Sequence, residues 1–170
     1  MYQKRTTNID DLVEDLLQKD LIEFSYSPYA FPVVLAYKKD DGKKSTLCID
    51  YRKLDDITLP EKFPFPKITE IENLLVNAKF FSTFDVLSGF HHIKVNPKDR
   101  EKTAFITNSS HYQWQVMPFG LKNAPIFFQR ALWNLLKRNN LTSFTHNHMD
   151  DIIVFFTSLQ VKTITLSISN

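Results

Sequence analysis

The adjacent carboxylates Asp150 and Asp151 stand where two like charges are least expected. They are flanked by Phe144-Thr145-His146-Asn147-His148-Met149 and Ile152-Ile153-Val154-Phe155-Phe156. These flanks around a short polar pair read as two strands joined by a tight turn. Uncompensated, the two charges repel each other; hard divalent cations, which take oxygen ligands, remove that cost. A third carboxylate, Asp85, lies in the apolar run Phe80-Phe81-Ser82-Thr83-Phe84-Asp85-Val86. Three carboxylates on neighbouring strand ends suit two-metal phosphoryl transfer, in which the ions clamp attacking and leaving oxygens roughly 3.5 to 4 Å apart. On spacing alone an ordinary hairpin turn explains Asp150-Asp151 equally well.

The elements that must hold these groups can be read from periodicity. Asn8 is expected to cap a helix ending near Lys19, with Ile9, Leu12, Val13, Leu16 and Leu17 on one apolar face. Pro28 and Pro32 lead into the strand Val33-Val34-Leu35-Ala36-Tyr37, and Asp40-Asp41-Gly42 turns the chain back through Ser45 to Asp50 as a basic hairpin. Ile68, Ile71, Leu74 and Leu75 predict a short helix before the Asp85 strand. Strands are expected at His92-Ile93-Lys94-Val95, Thr103-Ala104-Phe105-Ile106-Thr107 and Tyr112 to Met117. Asn123 and Pro125 then open a helix with Phe127, Phe128, Ala131, Leu132, Leu135 and Leu136 along its apolar face. This order predicts an α+β fold, an antiparallel sheet with helices packed on one face.

Composition narrows the function class. At 170 residues, 43% hydrophobic and 24% charged, the chain is sized for one domain with a sizeable core. It has no run of 18 uncharged apolar residues and no signal-like start, so it reads as an intracellular protein with no membrane partner. The lone Cys48 is expected to be a buried thiol. Residues 1–78 carry 11 basic and 14 acidic side chains and the remainder 10 and 5; three of those five acids are Asp85, Asp150 and Asp151. A basic half whose few acids fall mostly at the proposed metal centre suits a polyanion approaching that centre, although a solvated basic surface gives the same count. Average usage would give about 12 glycines; the chain has three, Gly42, Gly89 and Gly120. The five histidines lack helical metal spacing, which argues against a zinc site.

Five stretches in order resemble the reverse transcriptase domain of gypsy-type long-terminal-repeat retrotransposons: Ser27-Pro28-Tyr29-Ala30-Phe31-Pro32-Val33-Val34, Cys48-Ile49-Asp50-Tyr51-Arg52-Lys53-Leu54, Phe84-Asp85-Val86-Leu87-Ser88-Gly89-Phe90-His91-His92-Ile93, Met117-Pro118-Phe119-Gly120-Leu121-Lys122-Asn123-Ala124-Pro125 and Met149-Asp150-Asp151-Ile152. The resemblance covers residues 16 to 158 and implies the fingers and palm of a right-hand polymerase in residues 1–158, followed by a divergent tail at 159–170. It implies that Asp85 and Asp150 ligate two Mg²⁺ ions, replaceable by Mn²⁺, with Asp151 and the Val86 carbonyl in support. The implied reaction is attack of a primer 3′-hydroxyl on a deoxynucleoside triphosphate, directed by an RNA or DNA template. Lys39 is the candidate for the γ-phosphate, Ser88 and Gly89 for the triphosphate, and Phe119 and Gly120 for the pocket wall. Phe90 would exclude a 2′-hydroxyl, though a core role suits one of fifteen Phe as well. Asp50, Arg52, Gln129, His148 and Met149 match template or primer positions; for Gln129 a contact to the loop is the alternative to template, and a solvent-facing side chain a third reading.

The sequence departs from the family at three places. His148 stands where the family has Tyr, and Ser45-Thr46 where it has Trp-Arg, removing a guanidinium that a hydroxyl does not replace. The chain ends 19 residues after Asp151, so thumb, connection and ribonuclease H regions are expected to be absent and would have to come from longer copies of the element. Two other classes compete with the polymerase: a non-catalytic relic that keeps the fold and binds nucleic acid weakly, and a metal-dependent nuclease or phosphatase, which needs neither Phe90 nor the finger hairpin.

Overall fold

A computed structural model describes residues 2–37, 45–64 and 68–158. The chain builds α1 (Tyr2–Gln18), β1 (Ile22–Phe24), β2 (Phe31–Tyr37), β3 (Ser45–Ile49), α2 (Arg52–Ile57), α3 (Ile68–Leu75), β4 (Phe80–Asp85), β5 (Phe105–Ile106), β6 (His111–Trp114), α4 (Ala124–Arg138), β7 (Thr145–His148) and β8 (Asp151–Phe156). These divide between two compact units, one within Met1–Pro60 and Phe90–Ala124, the other within Glu61–Gly89 and Pro125–Asn170. The single sheet expected from sequence is therefore corrected to two.

The first unit holds a five-stranded sheet in the order β1-β6-β5-β2-β3. It is mixed rather than antiparallel, because β2 and β5 run parallel with Phe31 opposite Phe105. Alternating apolar residues point into one core of Val13, Ile22, Phe31, Ile49, Tyr51, Phe105, Tyr112, Trp114 and Val116. Cys48 faces the other way from buried Ile49 on β3 and is exposed, correcting the expected buried thiol. Its cross-strand partner Val34 on the interior strand β2 is 51% exposed as well, so this face of the β2–β3 pair is the uncovered one.

The second unit pairs β4-β8-β7 into an antiparallel sheet. An apolar cavity of about 320 Å³ lies beside it, lined by Phe84, Leu132, Leu136, Ile152 and Val154 among others. Both long helices end on a left-handed residue other than glycine. At α1, Asp20 (φ 53°) is followed by a bond from Leu21 N to Leu16 O; at α4, Asn140 (φ 56°) is followed by one from Leu141 N to Leu136 O. These are Schellman stops in which Asp and Asn, the residues best able to adopt the left-handed form, stand in for scarce glycine.

Local corrections follow from the same backbone constraints. α1 begins at Tyr2, so Asn8 lies inside it and is not its cap. His92 to Val95 is no strand: the chain makes a 3₁₀ turn over Gly89–His92 and then pairs through an isolated Lys94–Val116 bridge beyond the end of β6. β5 shrinks to two residues because a 3₁₀ turn occupies Arg100–Thr103. The turn at Gly42 lies outside the described residues, and no described helix is long and apolar enough to cross a membrane.

Candidate functional site

The three carboxylates meet at one end of the β4-β8-β7 sheet. β4 and β8 pair so that Asp85 is opposite Asp151, and β7 and β8 pair so that His148 is opposite Asp151. Asp85, Asp151 and His148 thus form one row across three strands. Asp150 sits one step beyond, in a two-residue turn with Met149. The Val86 N–H donates to Asp150 O at 3.0 Å. Hydrogen-bonded and non-hydrogen-bonded pairs alternate along an antiparallel ladder, so this bond makes Asp85–Asp151 a non-hydrogen-bonded pair. Cβ atoms of such pairs lie about 4.5–5.5 Å apart, where like charges are destabilising.

All three acids are exposed, and no ion pair among the described residues involves any of them. Among the described residues the two carboxylates of the row thus stand with no ion pair against their negative charge. No three His, Cys, Asp or Glu side chains among the described residues stand together as a ready metal cage. The donor set still fits Mg²⁺, which is held at phosphoryl-transfer sites by one or two carboxylates plus substrate phosphates, not by an all-protein cage. The Val86 carbonyl, named with them, accepts from Gly89 N–H at 3.1 Å, which uses one of its two lone pairs.

Strain gathers at this end of the sheet. Met149 in the turn has φ 53° and Ser88 after β4 has φ 52°. Left-handed backbone costs such side chains roughly 1–2 kcal/mol and persists where surrounding structure enforces it. Gln129 supplies the enforcement at Met149. It lies on α4, 1% exposed, accepts from Met149 N–H at 2.6 Å and donates to Asn147 O at 3.0 Å. Of the contacts expected for Gln129, the loop contact is the one made; a side chain buried to this degree does not reach template, nor does it face solvent. Its position was readable, since 129, 132 and 136 follow the i, i+3, i+7 spacing of the buried stripe.

Gly89 is buried, and a Cβ there would lie 2.5 Å from the Phe128 ring of α4. Close packing thus accounts for this glycine, a reason that adds to the expected approach of phosphate. Gly120 (φ 96°) takes a backbone form closed to most residues. In the same unit as Gly120, the Phe90 ring lies 4.9 Å from that of Phe119, which in turn contacts His91 at 5.3 Å. Asp50 and Arg52 form a bidentate pair, Nε to Oδ1 at 2.8 Å and NH2 to Oδ2 at 2.6 Å. Hydrogen bonding from Arg52 holds the Asp50 carboxyl at about 2, below the usual range. The Arg52 side chain is 87% exposed, so its remaining donors face water. Lys39 lies outside the described residues.

Sequence reasoning missed two buried polar residues on β7. Asn147 is fully buried with neither side-chain atom partnered among the described residues, and the Nε2 of buried His146 is likewise unpartnered. Burial pushes the His146 imidazole below its ordinary value, as it does that of His91.

Residues 37–168 match the family model for reverse transcriptase (RNA-dependent DNA polymerase). The chain belongs to the reverse transcriptase family. The match runs through most of the segment that the motifs left as a divergent tail. The chain is 41% identical over 162 residues to the Retrovirus-related Pol polyprotein from transposon 297 of Drosophila melanogaster, covering 94% of this chain and 15% of that one. It is 39% identical over 151 residues to the corresponding polyprotein from transposon gypsy of the same fly, covering 86% and 14%. The gypsy-type resemblance and the α+β fingers and palm fold hold. A solved foamy viral protease-reverse transcriptase in complex with RNA/DNA hybrid matches with a TM-score of 0.78 at 24% identity, covering 92% of this chain and 20% of that one. The chain thus spans about one seventh of the length of these fly relatives.

Proposed function

We propose that this chain is the fingers and palm portion of an RNA-directed DNA polymerase, adding deoxynucleotides to a primer 3′ end on an RNA or DNA template. The observation that carries this reading is the row of exposed carboxylates, Asp85 opposite Asp151 with Asp150 in the adjoining turn, none of them in an ion pair among the described residues. Asp85, Asp150, Asp151 and the Val86 carbonyl would hold Mg²⁺, or Mn²⁺ in its place. When bound, the ion neutralises charge developing on the transferred phosphate and lowers the pKa of the attacking hydroxyl. The protein's own share is placement: the hairpin fixes Asp150 and Asp151, and the ladder fixes Asp85 against them. Phe90 serves as the barrier to a 2′-hydroxyl. Ser88, Gly89, Phe119, Gly120 and Lys39 serve the nucleotide, and Arg52, oriented by Asp50, serves the template. A solved relative that holds RNA/DNA hybrid supports a template-primer partner.

The test is single-nucleotide incorporation on a primed RNA template with protein in excess. Extension that needs a divalent ion and is lost in Asp150→Asn supports the reading; extension at equal rate by Asp150→Asn refutes it. A second reading, a fold that binds nucleic acid without catalysis, is favoured by one observation, that Ser45-Thr46 and His148 stand where the family has Trp-Arg and Tyr, so a guanidinium for the α-phosphate is missing. It predicts template-primer binding with no incorporation in either metal.

A further inference from the structure

We propose that Gln129 is the positioning residue of the Asp150 turn: its buried amide fixes the turn's backbone and thereby the direction in which Asp150 presents its carboxylate. Two bonds of opposite sense make the clamp. Asn147 O only accepts and Met149 N–H only donates, so the amide's orientation is set by its partners: Nε2 toward Asn147 at 3.0 Å, Oε1 toward Met149 at 2.6 Å. The two partners bracket His148, and Met149 directly precedes Asp150. The Met149 N–H belongs to the turn and not to the β7–β8 ladder, whose last pair is His148 with Asp151. Without Gln129 this donor would be left unsatisfied in a partly buried place, in a residue already held at φ 53°. Glutamate could accept from Met149 but could not donate to Asn147; asparagine is a methylene too short for both. A glutamine that only filled the core would be replaceable at a cost in stability alone, whereas a clamp sets the aim of the carboxylate one residue away. Removing groups that orient metal ligands typically lowers metal affinity 10- to 100-fold.

The proposal rests on the polymerase reading only for what Asp150 binds, and the experiment separates the two. Wild type, Gln129→Met, Asp150→Asn and the packing control Leu136→Val are compared as full chains. Amide exchange at Met149 is read by NMR, and Mn²⁺ affinity by the electron paramagnetic resonance of free Mn²⁺. In Gln129→Met the Met149 amide should exchange at least tenfold faster relative to Ile152, and Mn²⁺ should bind at least tenfold more weakly; Leu136→Val should change neither. Should Gln129→Met not fold, Gln129→Asn takes its place with the same expectations. Unchanged exchange at Met149 overturns the clamp. Faster exchange with wild-type Mn²⁺ affinity, where Asp150→Asn abolishes that affinity, overturns the positioning role and spares the polymerase reading. Wild-type Mn²⁺ binding that is absent, or indifferent to Asp150→Asn, overturns that reading and the positioning role with it.

Discussion

Replacing Asn147 by valine should stabilise the protein, although asparagine occupies the core of a strand beside the carboxylate turn. The side chain is fully buried, and neither Nδ2 nor Oδ1 has a partner among the described residues. An amide taken out of water without compensating bonds costs about 1–3 kcal/mol on protein mutational scales. The register puts Asn147 opposite buried Ile152, so valine gains apolar contact and suits a strand better than asparagine. The Gln129 bond is to the Asn147 backbone carbonyl and survives the change. A gain of about 1–3 kcal/mol corresponds, at roughly 2–4 °C per kcal/mol for a chain of this size, to a Tm rise of about 2–12 °C. Urea unfolding and calorimetry would measure it, with Asn147→Ala as the control that removes the amide but leaves a void. A Tm unchanged or lowered in Asn147→Val would refute the reasoning, showing that a buried water satisfies the amide and that its bonds offset the cost of burial.

Three further outcomes follow from the packing and charge. Burial holds the imidazoles of His91 and His146 below their ordinary 6.5, so the stability tied to their neutral forms is complete above pH 6.5 and is lost as pH falls through the lowered folded values. Trp114 lies beside His91 and Trp133 beside His146, so single-Trp variants Trp114→Phe and Trp133→Phe should each report a stability loss below pH 6.5 by fluorescence; a flat profile from pH 7.5 to 5 would contradict it. Gly89→Ala should cost about 1–3 kcal/mol through overpacking on the buried Phe128 ring, and Phe128→Leu should recover part of it in the double variant; additive losses would show that the clash is not the cause. Phe90→Ala should admit ribonucleotides in the incorporation assay, and continued rejection of them would return Phe90 to its stacking role against Phe119.

What the sequence revealed, and what it hid, follows from the range of the forces involved. Local signals carried far: the apolar stripes of α1 and α4, the proline-bracketed β2, and the hairpin between β7 and β8 all stand close to where periodicity places them. The pairing of Asp85 with Asp151 across 65 intervening residues was legible only as an expectation that the acids converge, because register is a long-range property. The parallel β2–β5 contact had no local mark at all. The fate of Gln129 required knowing which backbone groups the hairpin leaves unpaired, and exposure of Cys48 depended on which face of its sheet the core covers. Asn147 and His146 escaped notice because alternation in Thr145-His146-Asn147-His148 gives no apolar face to read, so the strand's burial comes from its neighbours and not from its own pattern.

The central claim is that Asp85, Asp150 and Asp151 gather a divalent ion for nucleotidyl transfer. Anomalous diffraction from crystals grown with Mn²⁺ and a deoxynucleoside triphosphate tests it most directly. The account predicts a Mn²⁺ peak within about 2.1 Å of carboxylate oxygens of Asp85 and Asp150, completed by phosphate oxygens. Saturating Mn²⁺ and nucleotide with no peak between those two side chains, or with the ion bound elsewhere, would contradict it.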